Sequence, residues 1–233
     1  MVAPWSFLDF VWIWLGGQVI STALAAVGLI GGDQDLAILL AFAGLYVGNL
    51  GVLWLISRRK GHPELGFTIE ASDVWYVGLG LVLQIGLLLA FLPLSNLLFP
   101  EGRPPQVITD MISGADTLPL QIGLVAAAVV LGPVTEELMY RGVLLKALQP
   151  RGRVPAMVVS AMIFSLVHLT GLGTEQILPL AAVVLPPIFI LGLVLAWLTQ
   201  RSGRLGPAIF VHSGWNLLAA LVLLLPTEML EQV

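Results

Sequence analysis

Long apolar runs without charged residues alternate with short polar segments along the whole chain. A helix needs roughly 17–25 apolar residues to cross the hydrocarbon core of a bilayer. Seven runs reach that length, and they predict spanning helices near residues 10–30, 36–56, 74–99, 120–149, 154–170, 177–200 and 207–226. We therefore expect an all-α fold, a polytopic transmembrane helix bundle of about seven spans, in which residues 1–233 form a single integral membrane domain.

Prolines predict interruptions in two of these helices. Gly132-Pro133 lies inside the fourth run, and proline removes a backbone donor and kinks a helix. The second half of this run should then start afresh just before Thr135. Pro186-Pro187 lies in the middle of the sixth run and predicts another break. Splitting the fourth or the sixth helix would raise the number of spans to eight.

The composition excludes several classes of protein. Hydrophobic residues make up 58% of the chain and charged residues 10%, against roughly 25% charged in soluble domains, and the mean hydropathy is +0.98. A soluble globular or a disordered protein is therefore excluded. The net charge is −4 and the longest basic run is Arg58-Arg59-Lys60, so nucleic acid is not an expected partner. The absence of cysteine excludes disulfides, thiolate metal sites and a cysteine nucleophile.

The basic residues predict the orientation of the bundle, because Lys and Arg concentrate in cytoplasmic loops. Arg58, Arg59 and Lys60 make the loop between the second and third spans cytoplasmic. Alternation of the spans places five further basic residues on that side: Lys146, Arg151, Arg153, Arg201 and Arg204. Three tryptophans fall at the same boundary, as an aromatic belt would: Trp54, Trp75 and Trp197.

Three charged residues lie inside the fourth predicted span, where each ionisable group costs on the order of 3 kcal/mol. Glu137 and Arg141 are four residues apart, so they share a helix face and can form an ion pair. Glu136 is rotated by about 100° from Glu137 and lacks that partner, which leaves it able to act as a general base or acid. The alternative interpretation is that both glutamates serve packing or a cation pathway.

Two other spans carry histidines at matching depth. Phe164 and His168 are four residues apart in the fifth span, and His212 and Asn216 are four apart in the seventh. At a rise of 1.5 Å per residue, both histidines, Asn216 and Glu136 lie about 12–22 Å from the basic ends of their spans. A lone membrane histidine is more often a hydrogen-bonding residue between helices. Here the common depth of these four residues in the membrane favours a hydrolytic site.

In such a site Glu136 would take a proton from water, and His168 would orient the water and pass the proton on. His212 and Asn216 would donate hydrogen bonds to the oxyanion of a tetrahedral intermediate. This chemistry is that of a peptidase without a covalent intermediate. Motifs of other intramembrane proteases are absent: the chain contains no H-E-x-x-H, no G-x-S-G, and no G-x-G-D.

Three motifs on successive spans resemble those of a known family. The stretch 136–141 reads E-E-x-x-x-R, 164–168 reads F-x-x-x-H, and 212–216 reads H-x-x-x-N. This set, within residues 133–216, resembles the CPBP family, the CAAX proteases and bacteriocin-processing enzymes, also called Abi, which includes Rce1-type prenyl endopeptidases. The resemblance implies that Glu136 activates water with His168 as its partner and that His212 and Asn216 stabilise the oxyanion. It implies supporting roles for Glu137, Arg141 and Phe164.

The resemblance also implies partners and a location. We expect membrane lipid and a peptide or protein substrate, prenylated at a CAAX-type terminus or bacteriocin-like in some members, and we expect the plasma (inner) membrane of a prokaryote with the basic loops cytoplasmic. The favoured mechanism requires no cofactor; a zinc-dependent version would use Glu136, His168 and His212 as metal ligands. Two alternatives stay open, a proton-coupled transporter with broken helices and a non-enzymatic immunity or scaffold protein. The sequence carries no signal for the oligomeric state.

Overall fold

The computed structural model describes residues 4–100, 117–172 and 176–224, and these residues form helices and no strand. The first three helices are α1 (Phe7–Ile30), α2 (Gln34–Arg59) and α3 (Tyr76–Leu98), with a 3₁₀ turn at Ala71–Trp75 before α3. Helix α4 comprises the consecutive pieces Leu118–Ala126, Ala127–Leu131, Gly132–Glu137, Leu138–Leu145, Lys146–Leu148 and Gln149–Arg151. The last three are α5 (Arg153–Val167), α6 (Ile177–Ser202) and α7 (Gly206–Leu224), with a 3₁₀ turn at His168–Gly171 after α5.

The all-α, polytopic membrane fold is confirmed. In the described ranges, six helical segments are long and apolar enough to cross a bilayer: Phe7–Ile30, Gln34–Arg59, Ala71–Leu98, Leu120–Arg151, Arg153–Thr170 and Ile177–Ser202. Helix α7 is not among these six. The span predicted at 207–226 ends outside the described residues, so a seventh crossing stays a prediction.

The two predicted interruptions are wrong. Helix α4 continues through Gly132-Pro133 because it widens into a π turn at Ala127–Leu131, so no new helix starts before Thr135. A second π segment follows at Leu138–Leu145. Helix α6 is also continuous, with Pro186 and Pro187 inside it. The split helices that would give eight spans are therefore not found, and the transporter alternative loses the broken helices on which it rested.

Glycines let the helices approach closely at two crossings. Between α1 and α2, a Cβ on Gly48 would lie 2.8 Å from the Gly16 carbonyl oxygen. Between α3 and α7, a Cβ on Gly214 would lie 2.2 Å from the Val77 carbonyl oxygen, and one on Gly80 would lie 2.1 Å from that of Val211. The α7 face with Val211 and Gly214 therefore packs on α3, which turns the adjacent face toward α4.

The loop after α2 joins several elements at the basic end of the bundle. The Glu64 carbonyl oxygen accepts hydrogen bonds from Lys146 Nζ at 2.9 Å and from Trp5 Nε1 at 3.3 Å. Two residues further on, the Gly66 carbonyl accepts a hydrogen bond from the Leu205 backbone amide at 2.8 Å. This loop thus ties the N-terminal segment, the end of α4 and the start of α7 together.

Aromatic and basic residues also meet at this end. The guanidinium of Arg58 lies 5.5 Å from the ring centre of Trp54, and that of Arg201 lies 5.7 Å from the ring of Trp197. Both tryptophans are about half exposed. A tryptophan beside a cation is typical of a membrane–water interface. Which side of the membrane this end faces remains a prediction from the charge distribution.

Candidate active site

A buried ion pair lies at the centre of the bundle. Arg141 Nη1 donates to Glu137 Oε1 at 2.9 Å, and both side chains are fully buried, so the expected pairing at i and i+4 is formed. Arg141 Nη2 donates to the Gly192 carbonyl of α6 at 3.1 Å. The guanidinium also lies 4.4 Å from the ring centre of Phe164, within cation–π distance. One arginine therefore joins α4, α5 and α6.

His212 of α7 shares the same carboxylate. Its Nδ1 lies 3.0 Å from Glu137 Oε1, the oxygen that also accepts from Arg141. An ionised carboxylate only accepts hydrogen bonds, so Nδ1 carries the proton. His212 Nε2 then points toward Glu136, 3.9 Å from Oε2, which is too long for a hydrogen bond. Glu137 thus fixes the orientation of the imidazole, and the opposite nitrogen faces Glu136.

Glu136 differs from its neighbour in both exposure and partners. About a third of its side chain is exposed (34%), whereas Glu137 is fully buried. Glu136 Oε2 is itself shielded from solvent and has no hydrogen-bond partner among the described residues. The two adjacent glutamates therefore present different chemistry: Glu137 is held by a cation and an imidazole, and Glu136 has an acceptor oxygen to offer to another group.

His168 lies where α5 passes into the 3₁₀ turn. Its Nδ1 donates to the Phe164 carbonyl at 2.8 Å, because a carbonyl can only accept. In the neutral ring, Nε2 is therefore unprotonated and can accept a proton. Among the described residues, His168 makes no direct hydrogen bond or ion pair with Glu136. The two side chains are linked through His212. Its ring contacts Phe164, as does that of His168, and its Nε2 faces Glu136.

The ring of Phe164 is the centre of a ring cluster. It is fully buried and makes edge-on contacts with His168 at 4.9 Å and with His212 at 5.6 Å between ring centres. Tyr140 packs edge-on against its other side at 5.0 Å. Such contacts fix ring orientation. Phe164 therefore separates and orients the two imidazoles.

Asn216 bonds to the first π turn of α4. Its Nδ2 donates to the Ala128 carbonyl at 2.7 Å. In this turn the Gly132 amide donates to the Ala127 carbonyl, five residues back. The same pattern would pair Ala128 with residue 133, but Pro133 has no amide hydrogen. Asn216 therefore supplies the donor that Pro133 lacks, and the second hydrogen on Nδ2 remains for another acceptor.

The predicted zinc ligands do not assemble into a metal site. Both histidines keep Nε2 free while Nδ1 is bonded, which is how zinc-binding histidines are commonly held. Across the described ranges, however, no group of three or more His, Cys, Asp or Glu side chains is placed to hold a metal ion. Glu136, His168 and His212 thus do not form the expected ligand set in this arrangement.

Sequence reasoning missed two contributors from outside the motifs. Gly192 lets α6 approach α5, since a Cβ there would lie 3.1 Å from Ala161 Cα, and its carbonyl bonds to Arg141. Tyr46 of α2 donates from its hydroxyl to the Ala127 carbonyl at 3.2 Å. A single tyrosine in the middle of an apolar span was a signal for Tyr46, because a buried hydroxyl needs a partner. For Gly192 the sequence gives no comparable signal.

Comparison with known families supports the resemblance. Residues 118–218 match the model of a family described as Rce1-like, type II CAAX prenyl endopeptidase. This segment of the chain is therefore similar to that family. No curated protein and no solved structure gives a significant match. The Rce1-like segment begins at the start of α4 and includes every residue of the three motifs, whereas Tyr46 lies outside it. Because Rce1-like proteins are proteases, the match supports a peptidase in the membrane.

Proposed function

We propose that the protein is an intramembrane endopeptidase that hydrolyses peptide bonds of membrane-associated substrates with water activated by Glu136 and His168. The observation that carries this proposal is the free carboxylate oxygen of Glu136, which faces His212 Nε2 at 3.9 Å beside a fully buried ion pair. Neighbouring polar groups bond to Glu137 and leave Glu136 available. An available carboxylate beside an imidazole in a buried site is suited to general acid–base chemistry.

The first step is attack by water. Glu136 takes a proton from a water molecule while the oxygen attacks the carbonyl carbon of the scissile bond. His168 accepts a hydrogen bond from this water at Nε2, the nitrogen that its Phe164 contact leaves unprotonated. The carbonyl oxygen becomes an oxyanion. No bond to the enzyme forms, so the mechanism needs no nucleophilic side chain.

The oxyanion then needs donors from α7. Because Nδ1 of His212 bonds to Glu137, Nε2 donates to the oxyanion in the doubly protonated ring, in which both nitrogens are donors. Asn216 contributes the Nδ2 hydrogen that Ala128 does not use. Collapse of the intermediate breaks the C–N bond, and the proton held by Glu136 passes to the leaving amine, directly or by way of His168.

The substrate class follows from the family. Rce1-like proteins are named for a CAAX prenyl endopeptidase activity, so a lipid-modified peptide whose C-terminal residues are removed is the first substrate to test. A bacteriocin-like precursor is the second. Glu136 and His168 lie within helical segments that are apolar enough to span a bilayer, so we expect a substrate that partitions into lipid to reach them.

Replacing His168 with Ala should lower kcat on a farnesylated CAAX peptide on the order of 10²-fold, because the nitrogen that orients the water is removed. The assay uses purified protein in detergent and detects the released C-terminal peptide by mass spectrometry. His62→Ala is the matched control, since His62 is an exposed loop histidine. A folded His168→Ala variant with full activity would contradict the role proposed for His168.

Removal of metal should leave activity unchanged, because the proposed proton transfers use side chains only. The measurement is elemental analysis of the purified protein together with cleavage rates before and after treatment with a chelator. A stoichiometric metal whose removal abolishes cleavage and whose return restores it would replace this mechanism with the zinc-dependent one. In that case Glu136, His168 and His212 would have to move closer together than they lie here.

A further inference from the structure

Tyr46 connects the N-terminal helices to the catalytic segment. It lies on α2, outside the Rce1-like segment, yet its hydroxyl bonds to the Ala127 carbonyl at the start of the first π turn of α4. At 1.5 Å per residue, Tyr46 is about 20 Å from the basic end of α2, the depth layer predicted for Glu136. The contact therefore joins α2 to α4 at the level of the site.

A partly buried tyrosine hydroxyl usually finds an acceptor, so the Tyr46 hydrogen bond alone would not indicate a role in the site. The groups around this hydrogen bond connect it to the site. A Cβ on Gly132 would lie 3.1 Å from the Ala127 carbonyl oxygen, 3.4 Å from the Tyr46 hydroxyl and 3.8 Å from Glu136 Oε1. The tyrosine hydroxyl and a carboxylate oxygen of Glu136 thus both lie close to Gly132, on the side where a side chain at this position would begin.

The π turn is bonded from two sides. Tyr46 donates to the Ala127 carbonyl, and Asn216 donates to the next carbonyl, that of Ala128. The Ala127 carbonyl accepts the Gly132 amide across the wider turn. By the same spacing the Ala128 carbonyl would need an amide at position 133, where proline has none. One donor comes from α2 and the other from α7.

We infer that Tyr46 is a positioning residue of the active site. Together with Asn216 it holds the π turn in place by hydrogen bonds, and this turn sets the orientation of the Glu136 side chain. The inference rests on the proposed function, because the orientation of the Glu136 carboxylate affects kcat only if that carboxylate activates water. It also means that the α1–α2 hairpin is part of the catalytic machinery, although it lies outside the segment that matches the family. Tyr46 itself need not touch the substrate.

The test is Tyr46→Phe, which removes the hydroxyl and keeps the ring. We expect kcat to fall about tenfold, the effect of one lost hydrogen bond, with KM unchanged. Tyr76→Phe on α3 is the matched control, because it deletes a hydroxyl from the same residue type away from the site. Thermal unfolding of the two variants in detergent should match that of the parent protein. Equal kcat in Tyr46→Phe, Tyr76→Phe and the parent would overturn the inference.

A second variant separates positioning from general stability. In a Glu136→Asp background the carboxylate is already displaced, so adding Tyr46→Phe should cause a smaller loss of kcat than it does alone. Equal losses in both backgrounds would overturn a role through Glu136. Gly132→Ala should lower kcat as well, since its Cβ would lie 3.1 Å from the Ala127 carbonyl oxygen that accepts the Tyr46 hydrogen bond. Gly86→Ala, which has open space, is its control.

Failure of the inference and failure of the proposed function give different results. If Glu136→Gln is inactive while Tyr46→Phe is as active as the parent, the peptidase mechanism stands and the role of Tyr46 is wrong. If Glu136→Gln keeps full activity, the mechanism is wrong and the inference falls with it.

Discussion

Replacing Glu136 with Gln should reduce peptide hydrolysis by about 10²–10⁴-fold, the contribution of a positioned general base. Glutamine preserves the size of the side chain and most of its contacts, so the protein should fold and unfold as before. What it loses is the ability to take a proton from water at Oε2, the oxygen that is otherwise unpartnered. The measurement is kcat on the farnesylated peptide in detergent.

The control for this variant is Glu64→Gln, which makes the same change at an exposed loop residue whose described hydrogen bonds are made by the backbone. Its kcat should equal that of the parent. Glu136→Gln with parental kcat would rule out water activation by this carboxylate. If Glu137→Gln instead abolished chemistry in a fully folded protein while Glu136→Gln did not, the roles of the two glutamates would be reversed.

Replacing Arg141 with Met should have the largest effect on stability, about 3–5 kcal/mol in the free energy of unfolding. The guanidinium is fully buried and compensates the buried carboxylate of Glu137. Its removal leaves that charge with only His212 as a partner, and it also deletes the bond to the Gly192 carbonyl. Unfolding by SDS in mixed micelles, followed by circular dichroism, measures the change.

The double variant Glu137→Gln with Arg141→Met tests the reason for this loss. Because it removes the uncompensated charge as well, it should be more stable than Arg141→Met alone. Arg151→Met, at an exposed arginine, should change stability by less than about 0.5 kcal/mol. If the double variant were less stable than Arg141→Met, charge compensation would not be the main reason for the loss of stability. The stacking of Arg141 on Phe164 and its contact with α6 would then account for most of it.

The helices could be predicted because hydrophobicity and length are local properties. The runs at 36–56 and 154–170 differ by only a few residues from α2 at Gln34–Arg59 and α5 at Arg153–Val167. The pairing of Glu137 with Arg141 was predictable for the same reason, since both lie on one helix. Roles assigned to the motif residues remain predictions, although the structure places six of them around one buried cluster: Glu136, Glu137, Arg141, Phe164, His168 and His212.

The expectations that proved wrong depend on hydrogen-bond donors that other helices supply. Pro133 was expected to end a helix, but the missing donor is replaced by Asn216 of α7, and a π turn accommodates the change in spacing. No local rule contains that information, because it depends on α7 lying next to α4. Tyr46 was missed for the same reason: its acceptor is the Ala127 carbonyl of another helix.

The position of His212 on the last described helix has a consequence for synthesis. Glu137 and Arg141 can pair as soon as α4 has formed, but the imidazole that faces Glu136 and the amide that bonds to Ala128 arrive only with α7. While the ribosome is still adding that helix, the nascent chain has glutamates but no oxyanion donors. On the proposed mechanism, the protein becomes a protease only when its last described helix docks, so it cannot cleave neighbouring chains while it is being inserted into the membrane.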